Sequence, residues 1–369
     1  MKITAAILWQ QGAPLSIEAA ELDEPEAGEV LVEIKAAGVC HSDLHPARGD
    51  WPMATPVILG HEGAGVVRAI GAGVVHVRPG DHVVLCWAPA CGVCPPCLEG
   101  DAVLCDRLEK TTYRNRLPTG ASRIHARQQG VAPFLGTACF ADYAVVAAEG
   151  VIPVARDIPF EALATLGCAV VTGVGAVINA ARVPAGARIA VIGVGGVGLN
   201  VVQGAALAGS ERIIAVDRRQ PPLSLARTFG ATDVIEMTPD QSLPRAIREL
   251  TGGRGADYVF DTVGAPATVA DAVASARKGG TIVVTGLAGR DAASSFPLFP
   301  FVMQQKRIIG SVYGSGQPLR DIPRLVTLYE NGKLKLRELV SRTYPLIGIN
   351  EALAALERAD GARGVVTWP

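Results

Sequence analysis

The chain has 369 residues, with 34 lysines and arginines against 35 aspartates and glutamates, for a formal net charge of −1. This balance leaves no electrostatic footprint for nucleic acid or anionic lipid. The length accommodates about two domains with a core each. The short apolar run at residues 3–9 lacks the small-residue cleavage pattern of a secretory leader.

Residues 1–150 read as mainly β. Val30-Leu31-Val32-Glu33-Ile34-Lys35 alternates apolar and polar, which predicts a half-buried strand. Short strands at 65–71 and 83–85 follow, separated by the turn Pro79-Gly80-Asp81. Next comes Cys91-Gly-Val-Cys94-Pro-Pro-Cys97, and Cys105 completes four thiols within fifteen residues. That spacing lets one loop wrap a tetrahedral ion. Zinc takes four cysteine sulfurs at about 2.3 Å, and such a closed shell has no position open to substrate. Two disulfides, or plain buried thiols, are the alternatives. Pro95 and Pro96 stiffen the loop and lower the entropy lost on closing it. Thiolate ligands require a reducing compartment, so the expected location is the cytosol.

The uncharged stretches 162–181 and 189–210 are each about 20 residues, enough to cross a bilayer. Glycines interrupt both, and the prediction is a buried helix and a buried strand-turn-helix. From about residue 170 the rhythm becomes strand, helix, strand. Strands are expected at 188–192, 212–217, 233–235, 257–261, 281–286 and 307–311, with helices at 199–207, 223–229 and 266–277. The fold class is therefore α/β, a doubly wound parallel sheet joined to a β-rich part. The tail mixes helix with a strand at 364–367.

Gly193-Val-Gly195-Gly196-Val197-Gly198 follows the first of those strands directly. Gly193 permits a tight turn, Gly195 lets a pyrophosphate approach the backbone, and Gly198 lets helix and strand pack closely. The following helix N-terminus offers free N–H groups to phosphate. Asp217 ends the next strand, where its carboxylate can accept from ribose hydroxyls and repel a 2′-phosphate. This points to NAD, although Arg218 and Arg219 leave room for NADP. A plain helix cap is the other reading of Asp217. Three further pieces are ordinary one by one: Cys40-His41-Ser42-Asp43-Leu44-His45, Gly60-His61-Glu62-Gly63, and Cys168. A lone Cys168 reads as a small buried hydrophobe and a lone His61 as a satisfied side chain.

Together, Gly38-Val-Cys40-His-Ser-Asp43, Gly60-His61-Glu62-Gly63-Ala-Gly65, the four-cysteine lobe and Gly193–Gly198 resemble the zinc-dependent alcohol dehydrogenases of the medium-chain dehydrogenase/reductase superfamily. The order and spacing agree over essentially the whole chain. The resemblance implies a GroES-like catalytic domain at 1–170 with a structural zinc lobe near 90–106. A Rossmann domain at 171–312 and a return segment at 313–369 complete the expected organisation. It further implies that Cys40, His61 and Cys168 hold a catalytic zinc with a fourth position open. Glu62 is the neighbour that approaches the metal, and Asp43 orients His61. Ser42 and His45 form a proton relay through the cofactor ribose. His41 and Arg363 contact phosphate, and Thr172 and Val197 pack on the nicotinamide. Pro222 stands where many members carry a lysine near the adenosine ribose. Cys86 and Cys139 match no ligand position and read as buried thiols.

By the same resemblance Trp51, Trp87, Phe134, Leu135, Leu287 and Val312 line an apolar pocket suited to primary aromatic or allylic alcohols. The long segment 107–134 matches the dimeric branch, so a homodimer joined through the strand near 308–313 is expected. The glutathione-dependent formaldehyde dehydrogenases are the alternative. They carry an acid at the position of Trp51 and an arginine at that of Glu109. A non-catalytic, zinc-stabilised binding protein would need a broken catalytic set, and this sequence has none.

Overall fold

The strand Glu29–Val39 organises the first half of the protein. It pairs antiparallel with Glu62–Ile70, Tyr143–Ala147 and Arg363–Thr367. With neighbours along both edges it is buried along most of its length instead of on one face, more than its alternating pattern predicts. The computed structural model describes residues 1–120 and 122–369; Ala121, within the 107–134 segment, lies outside the described residues.

Two units form the chain: Met1–Cys168 with Gln317–Pro369, and Ala169–Gly316. In the first, a seven-stranded sheet accompanies a closed barrel of Lys2–Leu8, Ser16–Leu22, Ile124–Ala126, Gln129–Pro133 and Val57–Ile58. Its core includes Ile7, Leu8, Ile34, Ile58 and Phe140, all fully buried. Each such side chain contributes roughly 1.5–3 kcal/mol of transfer free energy.

The second unit is a six-stranded sheet, parallel throughout. Its order is Asp233–Glu236, Arg212–Asp217, Arg188–Ile192, Ala256–Asp261, Ala276–Val284 and Arg307–Gly310. Arg188–Ile192 and Arg212–Asp217 match the expected bounds. The helix expected at 266–277 stops at Ser275. Ala276 is extended there and pairs with Ala256, so strand pairing overrides the helical pattern two residues early. The glycine-turn helix begins at Gly196, three residues before its expected start.

The first uncharged stretch is one helix, Phe160–Ala180, with 89% of its apolar window buried inside the protein. It contains two π-helical segments, Leu166–Val170 and Ala176–Ala180. The second stretch is a strand, a turn and a buried helix, as predicted.

Candidate metal centres and dinucleotide turn

All eight cysteines are free thiols, so the reading of the loop as two disulfides does not hold. Cys91, Cys94, Cys97 and Cys105 bring their sulfurs within 4.8 Å of one another. Cys94 and Cys105 are 3.8 Å apart, and Cys91 and Cys97 are 4.0 Å apart. A tetrahedron with metal–sulfur bonds of about 2.3 Å has edges of about 3.8 Å, so the set fits zinc. The local sequence builds this cage. Cys94 caps the short helix Pro95–Glu99, where two prolines supply pre-set φ at positions that need no N–H. Gly100 then ends the helix in the left-handed conformation. Backbone N–H groups of Val93 and Cys94 point at Cys91 and lower its pKa to about 6, whereas burial foremost raises Cys97 to about 12.

The second cluster gathers Cys40, His61, Glu62 and Cys168, all buried, with one donor atom of each again within 4.8 Å of the others. Cys40 precedes the helix His41–Arg48, His61 immediately precedes the strand Glu62–Ile70 that Glu62 begins, and Cys168 lies in the first π-helical segment. Asp43 ties two of these elements together and is fully buried. Its Oδ2 accepts from Cys40 N, and its Oδ1 accepts from Gly60 N and meets His61 Nδ1, each at 3.0 Å. His61 is thereby fixed with Nε2 facing the cluster, buried and without a hydrogen-bond partner. Burial alone would lower the His61 pKa, but the Asp43 carboxylate overrides it and holds it well above the ordinary value.

The two buried thiols are hydrogen-bonded to each other. That bond holds Cys40 well below the usual thiol range and Cys168 well above it. Such a set fits a divalent cation: two thiolates to neutralise it, one imidazole lone pair, and a carboxylate alongside. Both Glu62 oxygens are buried without a hydrogen-bond partner, and burial raises its pKa to about 8. Arg363 is the nearest counter-charge, with Nη2 3.4 Å from Glu62 Oε1 and Nη1 donating to Val39 O at 2.8 Å. The expected phosphate contact is therefore a buried guanidinium that faces Glu62, and its Nε has no partner.

Around this cluster, Phe134 presents its ring edge-on to His61 at 5.9 Å and is buried. Leu135, next to it, adopts a φ of +49°. Trp87 is buried and lies 6.5 Å from the Tyr113 ring. Trp51 stacks on His45 at 4.7 Å. His41 is exposed at the first position of its helix, and Ser42 is half-buried. In the other unit Leu287 is exposed, Val312 half-buried and Thr172 buried. Sequence reasoning missed Asp50, whose carboxylate reaches His45. An aspartate just past a helix end carries no distinguishing signal.

The glycine turn fits a dinucleotide. Gly193 has a φ of +82°, and a Cβ on Gly198 would lie 1.9 Å from Gly193 O, so neither tolerates a side chain. Gly195 faces open space, the cradle a pyrophosphate would fill, and Val197 is half-buried beside it. No side chain caps the helix that begins at Gly196. Asp217 Oδ2 accepts from Val194 N at 3.1 Å, and Oδ1 accepts from Arg218 N at 2.8 Å. These bonds hold the carboxylate against the turn, while the Arg218 side chain is exposed.

Residues 26–156 match the family described as alcohol dehydrogenase GroES-like domain, and residues 196–331 match zinc-binding dehydrogenase. The chain is 38% identical to alcohol dehydrogenase B of Mycobacterium tuberculosis, covering 100% of this chain and 99% of that protein. It is 36% identical to S-(hydroxymethyl)glutathione dehydrogenase of Paracoccus denitrificans, each covered in full. Among solved structures, benzyl alcohol dehydrogenase from Acinetobacter calcoaceticus superposes with a TM-score of 0.94 at 32% identity, again over the whole of both chains.

Proposed function

Because the chain belongs to the zinc- and NAD-dependent alcohol dehydrogenases of the medium-chain dehydrogenase/reductase superfamily, we propose that it interconverts primary aromatic or allylic alcohols and their aldehydes. The observation that carries this reading is the buried Cys40–His61–Glu62–Cys168 cluster with Phe134 edge-on against it. In this reading Cys40, His61 and Cys168 hold the catalytic zinc, and Cys91, Cys94, Cys97 and Cys105 hold the structural one.

When bound, zinc supplies Lewis-acid polarisation of the substrate oxygen and NAD supplies the hydride acceptor. The chain's own residues handle the remainder. Asp43 keeps His61 in the tautomer that leaves Nε2 as donor, and Glu62, held by Arg363, tunes the charge beside the thiolates. Ser42 and His45 are three residues apart on one helix and share a face, so the alcohol proton can pass from one to the other. His45, with 20% of its side chain exposed, gives that proton to solvent. Gly193, Gly195, Gly196 and Gly198 receive the pyrophosphate. Thr172 and Val197 pack on the nicotinamide, Asp217 takes the ribose hydroxyls and Arg218 lies beside it.

Phe134 makes the surroundings of His61 apolar, which supports a flat aromatic substrate over a branched secondary alcohol. The Paracoccus relative raises S-hydroxymethylglutathione as a second substrate. Trp51 and an exposed Glu109 offer that charged adduct no cationic grip. Steady-state kinetics decides. Benzyl alcohol should exceed both S-hydroxymethylglutathione and bulky secondary alcohols in kcat/KM, and the reverse order would overturn this assignment.

The assembly is a homodimer in this reading. Arg307–Gly310 is an open sheet edge, and the adjoining helix Leu298–Met303 exposes Leu298, Phe299, Val302 and Met303, a surface suited to a second copy. Light scattering that gave a tetramer would contradict it. Eight free thiols support a reducing, cytosolic setting.

A further inference from the structure

The helix His41–Arg48 ends at Gly49 with a φ of +89°, and the chain turns back on the helix at once. Asp50 N donates to His45 O at 2.9 Å, and Asp50 Oδ2 lies 3.0 Å from His45 Nδ1. Trp51 lies over the face of the same imidazole, 4.7 Å between centroids and 21° from parallel. Gln11 holds this corner from the barrel side. Its Nε2 donates to Pro46 O at 2.8 Å and Trp51 O at 2.9 Å, and its Oε1 accepts from Met53 N. His45 is thus gripped at the ring edge, at the ring face and through its backbone.

We propose that Asp50 is a positioning residue for proton exit: it accepts the Nδ1–H of His45 and so leaves the lone pair on Nε2 as the proton acceptor. The inference rests on the reading of His45 as the end of the relay. The physical logic is that of a carboxylate behind an imidazole, which selects the tautomer and stabilises the imidazolium without becoming protonated. The proton balance closes on this chain. The alcohol proton passes to the Ser42 hydroxyl as that hydroxyl gives its own toward Nε2. The imidazolium then releases one proton to water and is neutral again. The other titratable or charged groups on this helix are His41, one turn back, Asp43, which is turned to His61, and Arg48, one turn on. Arg48 is paired with Glu357 of the helix Ile349–Glu357, which offsets its repulsion of an imidazolium.

The test is kcat against pH for the wild type, His45→Gln, Asp50→Asn and Asp50→Glu, with benzyl alcohol and saturating NAD. Wild-type kcat should rise with pH along a limb that His45→Gln abolishes. Asp50→Asn should keep the limb, because His45 is still present, but the imidazole is no longer held in the tautomer that leaves Nε2 free to accept. Its plateau should fall about three- to tenfold, with KM for NAD within about twofold of wild type. Asp50→Glu should restore the plateau. A profile for Asp50→Asn that superposes on wild type, while His45→Gln loses the limb, would overturn the role of Asp50 and leave the relay standing. Retention of the limb in His45→Gln would overturn the relay and this inference together.

Discussion

The two metal-binding clusters are built in opposite ways. The four-cysteine lobe draws all its ligands from fifteen consecutive residues, and three of the four are only partly buried. The other cluster draws on residues 40, 61, 62 and 168, all buried, and surrounds them with Asp43 and Arg363. The difference separates two tasks. A local cage needs only chain geometry to hold an ion. A reactive centre needs a shell that orients each donor and tunes its charge.

Substitutions should break this contrast in a graded way. Cys40→Ser should lower kcat by at least about 1,000-fold, since the lost polarisation is worth several kcal/mol. Metal analysis should then find one zinc per chain where the wild type holds two, with the lobe still loaded. Cys97→Ser should reverse the pattern. Stability should fall by several kcal/mol, seen as a lower thermal midpoint, because zinc binding at such a site is folding free energy. The fraction still folded at low temperature should retain kcat. Asp43→Asn should weaken zinc affinity at the buried cluster about 10- to 100-fold in a chelator competition, without touching the lobe.

The smallest effect concerns thiol chemistry in metal-free protein. The pKa of Cys91 sits near 6 because of backbone N–H groups, so it is largely thiolate at pH 7 and protonates only as pH falls through 6. Cys139, buried and pushed far upward by desolvation, stays a thiol. Alkylation mapped by mass spectrometry should label Cys91 first and Cys139 last. Slowing of Cys91 labelling should track acidification below pH 6.

The lobe was legible because its spacing is its geometry. Cys94-Pro-Pro-Cys97 can be read without knowledge of any other residue. The glycine turn was legible for the same reason, since strand, turn and helix are contiguous. Cys40, His61 and Cys168 carried no such signal. Their proximity arises from the pairing of Glu29–Val39 with Glu62–Ile70 and the return of a helix, and it became readable only through resemblance. The limit at Ala276 was illegible because a long-range partner, Ala256, decided it. Asp50 was missed because its partner is set by the turn at Gly49, a matter of backbone direction instead of residue type.

The strand Arg363–Thr367 has a consequence for the order of synthesis. It seals the catalytic sheet by pairing with Val39, Gly38, Ala37 and Ala36, while the whole nucleotide unit lies between these partners in the chain. The unit Ala169–Gly316 is contiguous and can fold as it leaves the ribosome. The catalytic unit must wait for nearly the last residues made. Arg363 arrives on that same strand, so its pairing with Glu62 beside the thiolates forms only when translation is nearly complete.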